Sequence, residues 1–146
     1  MRVARCQKPV KQSSPFVAEA ILSGEKTIEL RRRIPLIGIG TRLWIYATKP
    51  VGAVVGSATV KRIIRGLPEE VWAKGGDQAG IDRESFDIYF DGAVEAIGLV
   101  LEDIRPGRPI SIEKLRLIRT GFHPPQVILR ISDSEASSLL QLLNAA

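Results

Sequence analysis

Lys26, Glu29 and Arg31 place an ammonium, a carboxylate and a guanidinium within a stretch of six residues. An ammonium is a mobile point charge for a phosphate, or a proton carrier if its surroundings allow it. A guanidinium grips a phosphate or a base edge through two parallel donors. A carboxylate accepts from an exocyclic amine and can orient the guanidinium beside it. Together the three groups suit a polar, planar, partly anionic molecule, and a nucleotide fits that description. If the cluster belongs to an enzyme, Lys26 serves as nucleophile or base and Glu29 as proton shuttle. The same pattern also fits an ordinary exposed ion pair on a solvated strand, worth well under about 1 kcal/mol.

The elements around these residues decide how they are presented. Phe16, Val17, Ala20 and Ile21 recur at helical spacing after Ser14-Pro15, an N-cap followed by proline at the first helical position. Gly24 suits the left-handed residue that closes such a helix. Thr27–Arg33 reads as a strand with Ile28 and Leu30 on one side and Thr27, Glu29 and Arg31 on the other. Lys26 then sits at the helix–strand junction.

Thr41–Thr48 alternates cleanly, with Leu43, Ile45 and Ala47 facing one way and Arg42, Trp44, Tyr46 and Thr48 the other. If the second face borders the cleft, a base can stack there, worth about 1–3 kcal/mol. In a chain with so few aromatic residues, Trp44 and Tyr46 serve equally well as core. Arg33, Arg42 and Lys49 extend the candidate binding surface, with Arg32, Lys61, Arg62 and Arg65 as further cations that a solvated face would also explain. Glu102 and Asp103 are carboxylates near a strand end whose meeting with Lys26 the spacing does not establish. His123, beside Pro124-Pro125, reads as a loop residue.

The remaining elements follow from period and punctuation. Arg2–Cys6 is a first strand. Gly52–Ile64 is a long strand bent at Gly56, and Pro68–Lys74 a short helix. Asp82 caps a helix over 83–91 that sets Phe86 and Phe90 one turn apart. Ala96–Ile104 is a strand followed by a Pro106-Gly107-Pro109 loop and a helical turn at Ser111–Leu115. Gln126–Ile131 is a last strand, and Ser132-x-x-Glu135 a capping box before a C-terminal helix. Strands dominate the middle without the regular alternation of a parallel α/β sheet. An α+β fold is expected: a small mixed or antiparallel β-barrel with helices packed at its ends, residues 1–146 forming one domain.

Composition narrows the function classes. Cys6 is the only cysteine and His123 the only histidine, so an internal disulfide is excluded and neither a cofactor nor a metal site is expected. No apolar run is long enough to span a bilayer and no signal-peptide core opens the chain, which points to a cytoplasmic protein. The net charge of +5 is unevenly spread. Residues 1–65 carry thirteen Lys and Arg against three acids, a balance of +10, and the remainder carries −5. A basic face that attracts polyanions is expected if the halves stay apart.

The Gly24-x-Lys26-x-x-Glu29-x-Arg31 pattern, after a helix and opening a strand, resembles the ASCH family of PUA-like domains. Ser14–Gly24 is similar to that family's first helix, and Tyr46–Val51 with Val54-Val55-Gly56 to its next strands. Phe86-Asp87-x-Tyr89-Phe90-x-Gly92 and Pro124-Pro125-Gln126 stand in the same order. The resemblance implies a PUA-like barrel, a cleft beside the Gly-x-Lys-x-x-Glu-x-Arg segment, and RNA or a nucleotide-like molecule as ligand. Two departures stand out. Many relatives carry Lys-Pro where this chain has Ser14-Pro15. An amidohydrolase branch acting on acylated cytidine uses a lysine, matched by Lys26, and a threonine, whose place Glu29 takes. Binding of RNA or a modified nucleoside or nucleotide is therefore the leading expectation. Hydrolysis of a modified nucleoside or of RNA through Lys26 and Glu29 is the alternative, and a regulatory interaction module without catalysis the third.

Overall fold

A computed structural model describes residues 2–5, 17–34, 36–47, 51–123 and 129–144. Among these residues six strands form one sheet in the order β2-β5-β4-β3-β1-β6. They are β1 (Arg2–Arg5), β2 (Ile28–Arg31), β3 (Arg42–Ala47), β4 (Ala53–Gly66), β5 (Ala96–Ser111) and β6 (Leu129–Arg130). Among the described residues only the β1–β3 pair is parallel; the other ladders are antiparallel. Among the described residues five α-helices flank the sheet: α1 (Val17–Ser23), α2 (Pro68–Gly75), α3 (Arg83–Tyr89), α4 (Ile112–Ile118) and α5 (Asp133–Leu143). The mixed α+β class expected from the sequence is the observed one. Closure into a barrel would need β2 to pair with β6, and no ladder among the described residues joins them.

Strand alternation distributes the core over both faces. Leu43, Ile45 and Ala47 of β3 pack with Val60, Ile97 and Leu99 on one face, beneath Ile21 of α1. Trp44 and Tyr46 point to the other face, where α4 and α5 supply Leu115, Ala136 and Leu139. Near β2, Ile28 and Leu30 pack with Val71 of α2, with Phe86 of α3 and with Phe90, which caps the end of α3. The residues expected as helical core at Trp72, Phe86, Tyr89 and Phe90 all join that cluster. Gly75 lets α2 approach closely, because a Cβ there would collide with Ile28 Cδ1.

Most helix starts obey local chemistry. Asp82 accepts from the Ser85 N–H at 2.7 Å, and Ser132 and Glu135 form the expected capping box. The Ser14-Pro15 start expected for α1 lies outside the described residues.

The stretch after Ile104 departs from expectation. Pro106, Gly107 and Pro109 do not make a loop; β5 runs on through them to Ser111, with Pro106 opposite Gly56 and Ile110 opposite Val54. Register shifts absorb the prolines, whose missing N–H is tolerated at bulges. One bulge sets two residues, Asp103 and Ile104, against Ala58 alone, because Thr59 pairs with Glu102 and Ser57 with Arg105. The alternation that puts Asp103 on the Leu101 face is broken there.

α4 and α5 are tied by Arg119, which donates to both oxygens of Glu135 at 2.6 and 2.8 Å. The guanidinium, with the Ser132 cap, holds the Glu135 carboxyl down at about 2. A depressed folded-state value contributes stability that is fully present above about pH 4.5 and is lost as pH falls toward 2. Glu135→Gln should therefore lower the unfolding free energy at pH 7 by about 1–2 kcal/mol. The gap from wild type should close in urea titrations run between pH 4.5 and pH 2.

Candidate functional site

Gly24 closes α1 at a φ of 85°, a value that favours glycine and turns the chain sharply into β2. Three backbone bonds fix the turn. The Lys26 N–H donates to Ala20 O at 2.9 Å, the Thr27 N–H to Gln78 O at 3.0 Å, and the Leu101 N–H to Thr27 O at 2.8 Å. The turn is thus stapled to α1, to the segment after α2 and to β5. The Lys26 stem lies against Gly80, where an added Cβ would come within 3.3 Å of it.

Glu29 pairs with Leu99 and Arg31 with Ile97 across the β2–β5 ladder. Directly paired residues share a face. Glu29 and Arg31 therefore lie on the face of Leu99 and Ile97, not beside Ile28 and Leu30. Lys26, Glu29 and Arg31 are each only 4% exposed. The solvated-strand reading is thereby corrected: the three charges are buried together. Lys26 Nζ stands 3.5 Å from Glu29 Oε2, and Arg31 Nε 3.7 Å from Glu29 Oε1. Charge-assisted hydrogen bonds run nearer about 2.7–2.9 Å. Glu29 Oε2 finds no hydrogen-bond partner among the described residues. Arg31 interacts beyond this pair as well. The Tyr89 hydroxyl donates to Leu30 O at 3.4 Å, and burial pushes its phenol above the ordinary value. Tyr89 is thus a neutral neighbour of the cluster.

The other candidate residues fall elsewhere. Trp44 and Tyr46 are each 2% exposed, on the sheet face opposite Leu43 and Ile45. They pack under α4 and α5, so the core role is the one the fold realises. Arg42 shares their side of β3, donating to Ser57 Oγ, Asp103 O and Asp103 Oδ2. Arg33 is exposed just past the end of β2. Lys49 lies outside the described residues. Glu102 and His123 are exposed, and Asp103 is committed to Arg42 and Arg105. The basic half does not stay wholly apart: Arg42 of β3 meets Asp103 of β5, and Arg65 of β4 meets Glu95 just before β5. Sequence reasoning missed the engagement of Tyr89 with β2 and the bulge that turns Asp103 toward arginine. Neither leaves a periodic signal.

No family model matches the chain. A curated protein of Zymomonas mobilis subsp. mobilis, an ASCH domain-containing ribonuclease, is 40% identical to it over 128 residues, 88% of this chain and 86% of the relative. The crystal structure of ASCH from Zymomonas mobilis matches with a TM-score of 0.87 at 37% identity, over 97% of this chain and 94% of the other. A mutant of that protein gives a TM-score of 0.87 at 36% identity, over 97% and 96%.

Burial separates the two roles the cluster could play. Removing Glu29 leaves two cations facing each other out of water, whereas removing Lys26 leaves a neutral Glu29–Arg31 pair. Glu29→Ala should destabilise by about 3–5 kcal/mol and Lys26→Met by less than about 1.5 kcal/mol in urea unfolding. Equal losses in the two variants would show that Lys26 is as necessary to the fold as Glu29.

Proposed function

Since the chain belongs to the ASCH-domain family, we propose that it binds RNA at Lys26, Glu29 and Arg31 and hydrolyses it there. The observation that carries this reading is a trio of buried charges in which Lys26 Nζ stands 3.5 Å from Glu29 Oε2, an oxygen with no hydrogen-bond partner among the described residues. Buried charges are costly unless fully paired. A phosphodiester would give the Lys26 ammonium a nearer acceptor than Glu29, which stands 3.5 Å away. Its non-bridging oxygens would take donors from Lys26 and Arg31, and Glu29 would hold both cations in place.

The roles in cleavage follow from the charges. The Glu29 carboxylate accepts a proton from the attacking hydroxyl, either water or a ribose 2′-hydroxyl. The new P–O bond forms as the P–O bond to the leaving oxygen breaks. The Lys26 ammonium gives a proton to that oxygen, and Arg31 faces the charge that develops on the phosphoryl oxygens. Arg33, at the exposed end of β2, would steer the strand toward the site. In this proposal the cluster would border the mouth of a PUA-like barrel, and the protein would work in the cytoplasm. The ribonuclease relative favours cleavage over binding alone, and a modified nucleoside is the second substrate class that the same three groups would accept.

The test is a single-stranded RNA labelled at both ends, followed by anisotropy at two salt concentrations and by gel electrophoresis. Salt-dependent binding and cleavage are expected from the wild type. Lys26→Met and Glu29→Gln should each slow cleavage by at least about 100-fold, a magnitude typical of lost acid–base groups. Binding without cleavage by the wild type would leave a recognition module in place of a nuclease. Cleavage that survives both substitutions would remove the cluster from the chemistry.

A further inference from the structure

A second site lies on the opposite face of the sheet. A hollow of about 380 Å³ opens between β3, β4, β5 and α5, lined by Arg42, Trp44, Ser57, Arg105, Ser137 and Leu140. Small-ligand sites begin at about 300 Å³ and combine an apolar body with a few fixed polar groups. This hollow has both. Leu140, 46% exposed, offers apolar surface, and the buried Trp44 lies behind it. The Arg42 guanidinium is held by Ser57 Oγ at 3.3 Å, Asp103 O at 3.0 Å and Asp103 Oδ2 at 2.6 Å. Among the described residues Arg105 joins through its Nε alone, 3.1 Å from Asp103 Oδ1.

The backbone is distorted to make this arrangement. Asp103 has a φ of 48°, the only positive value of a non-glycine residue among those described, and it sits in the β5 bulge. A left-handed residue of this type costs about 1–2 kcal/mol. Its hydrogen bonds from Arg105, and next from Arg42, hold the Asp103 carboxyl below the usual carboxylate range. Partly exposed pairs such as these return little stability, since Asp103 is 46% and Arg105 63% exposed. The strain instead fixes two guanidinium groups at one rim. Trp44 adds an independent sign. Its indole N–H is buried and finds no acceptor among the described residues, although the ring lines the hollow.

We propose that this hollow binds a nucleoside monophosphate unit. Its phosphate sits on the remaining N–H groups of Arg105, and its uncharged body on Leu140, next to the buried Trp44. The hydroxyls of Ser57 and Ser137 face its sugar, with Asp133, which also lines the hollow, as an acceptor for sugar hydroxyls. The site is separate from the Lys26 cluster and does not depend on the reaction assigned there.

The test uses the indole N–H signals of the ¹⁵N-labelled full chain, with Trp72→Phe identifying Trp44. Adenosine 5′-monophosphate, inorganic phosphate, adenosine and a short single-stranded RNA are titrated in turn. The Trp44 signal should move with the monophosphate, and Arg105→Ala should weaken that response at least tenfold. Saturation by the free monophosphate identifies a free nucleotide as occupant, and saturation by the RNA alone identifies a unit of a strand; either supports the site. An unmoved Trp44 signal with every ligand would overturn it. So would an Arg105→Ala response equal to wild type, or inorganic phosphate or adenosine matching the monophosphate.

Discussion

Taking three unlike charges out of water is the constraint around which this protein is arranged. Lys26, Glu29 and Arg31 lie where a helix end feeds the edge strand β2, and each is almost wholly buried. Desolvation of ions costs several kcal/mol apiece unless geometry returns it. The contacts within the trio are long. The surroundings compensate through rigidity: the turn carrying Lys26 is bonded to α1, β5 and the segment after α2. Ile28 and Leu30, on the alternate positions of the same strand, anchor it to α2 and α3. One short strand therefore has two duties, an apolar side that fixes it and a charged side that it holds ready.

That division was readable in the sequence, because period-two alternation needs no knowledge of partners. The capping box at Ser132, the Asp82 cap and the aromatic cluster of α3 were readable for the same reason, since each is a local pattern with a local cause. What could not be read depends on strands meeting across the sheet. Trp44 and Tyr46 share a face by alternation, but only the pairing of β2 with β5 shows that Glu29 and Arg31 point to the other face. Pro106 and Pro109 look like a loop until β4 is seen to pair alongside them through register shifts. The left-handed Asp103 has no signature in the chain, because the bulge arises from mismatch between two strands.

The charge asymmetry illustrates a related limit. Most bases precede residue 66 and most acids follow it, yet β4 and β5 pair along most of their length. Arg42 and Arg65 consequently find acids from the later half, at Asp103 and Glu95. A block of like charge in sequence becomes interleaved when its strands alternate with those of the opposite block. What stays concentrated is the short run Arg31–Arg33, where the chain leaves the sheet edge.

The position of β1 carries its own consequence. It lies between β3, which it pairs in parallel, and β6, with Arg2 opposite both Leu43 and Arg130. A ribosome releasing this chain delivers β1 before the other strands of the sheet and β6 after them, so the seam between the two waits until all the intervening strands have emerged. Pairings so distant along the chain are slow, because loop closure must precede any gain from contact. Until then one flank of β1 is an open edge, and a neighbouring nascent chain's β6 would fit it as well as its own.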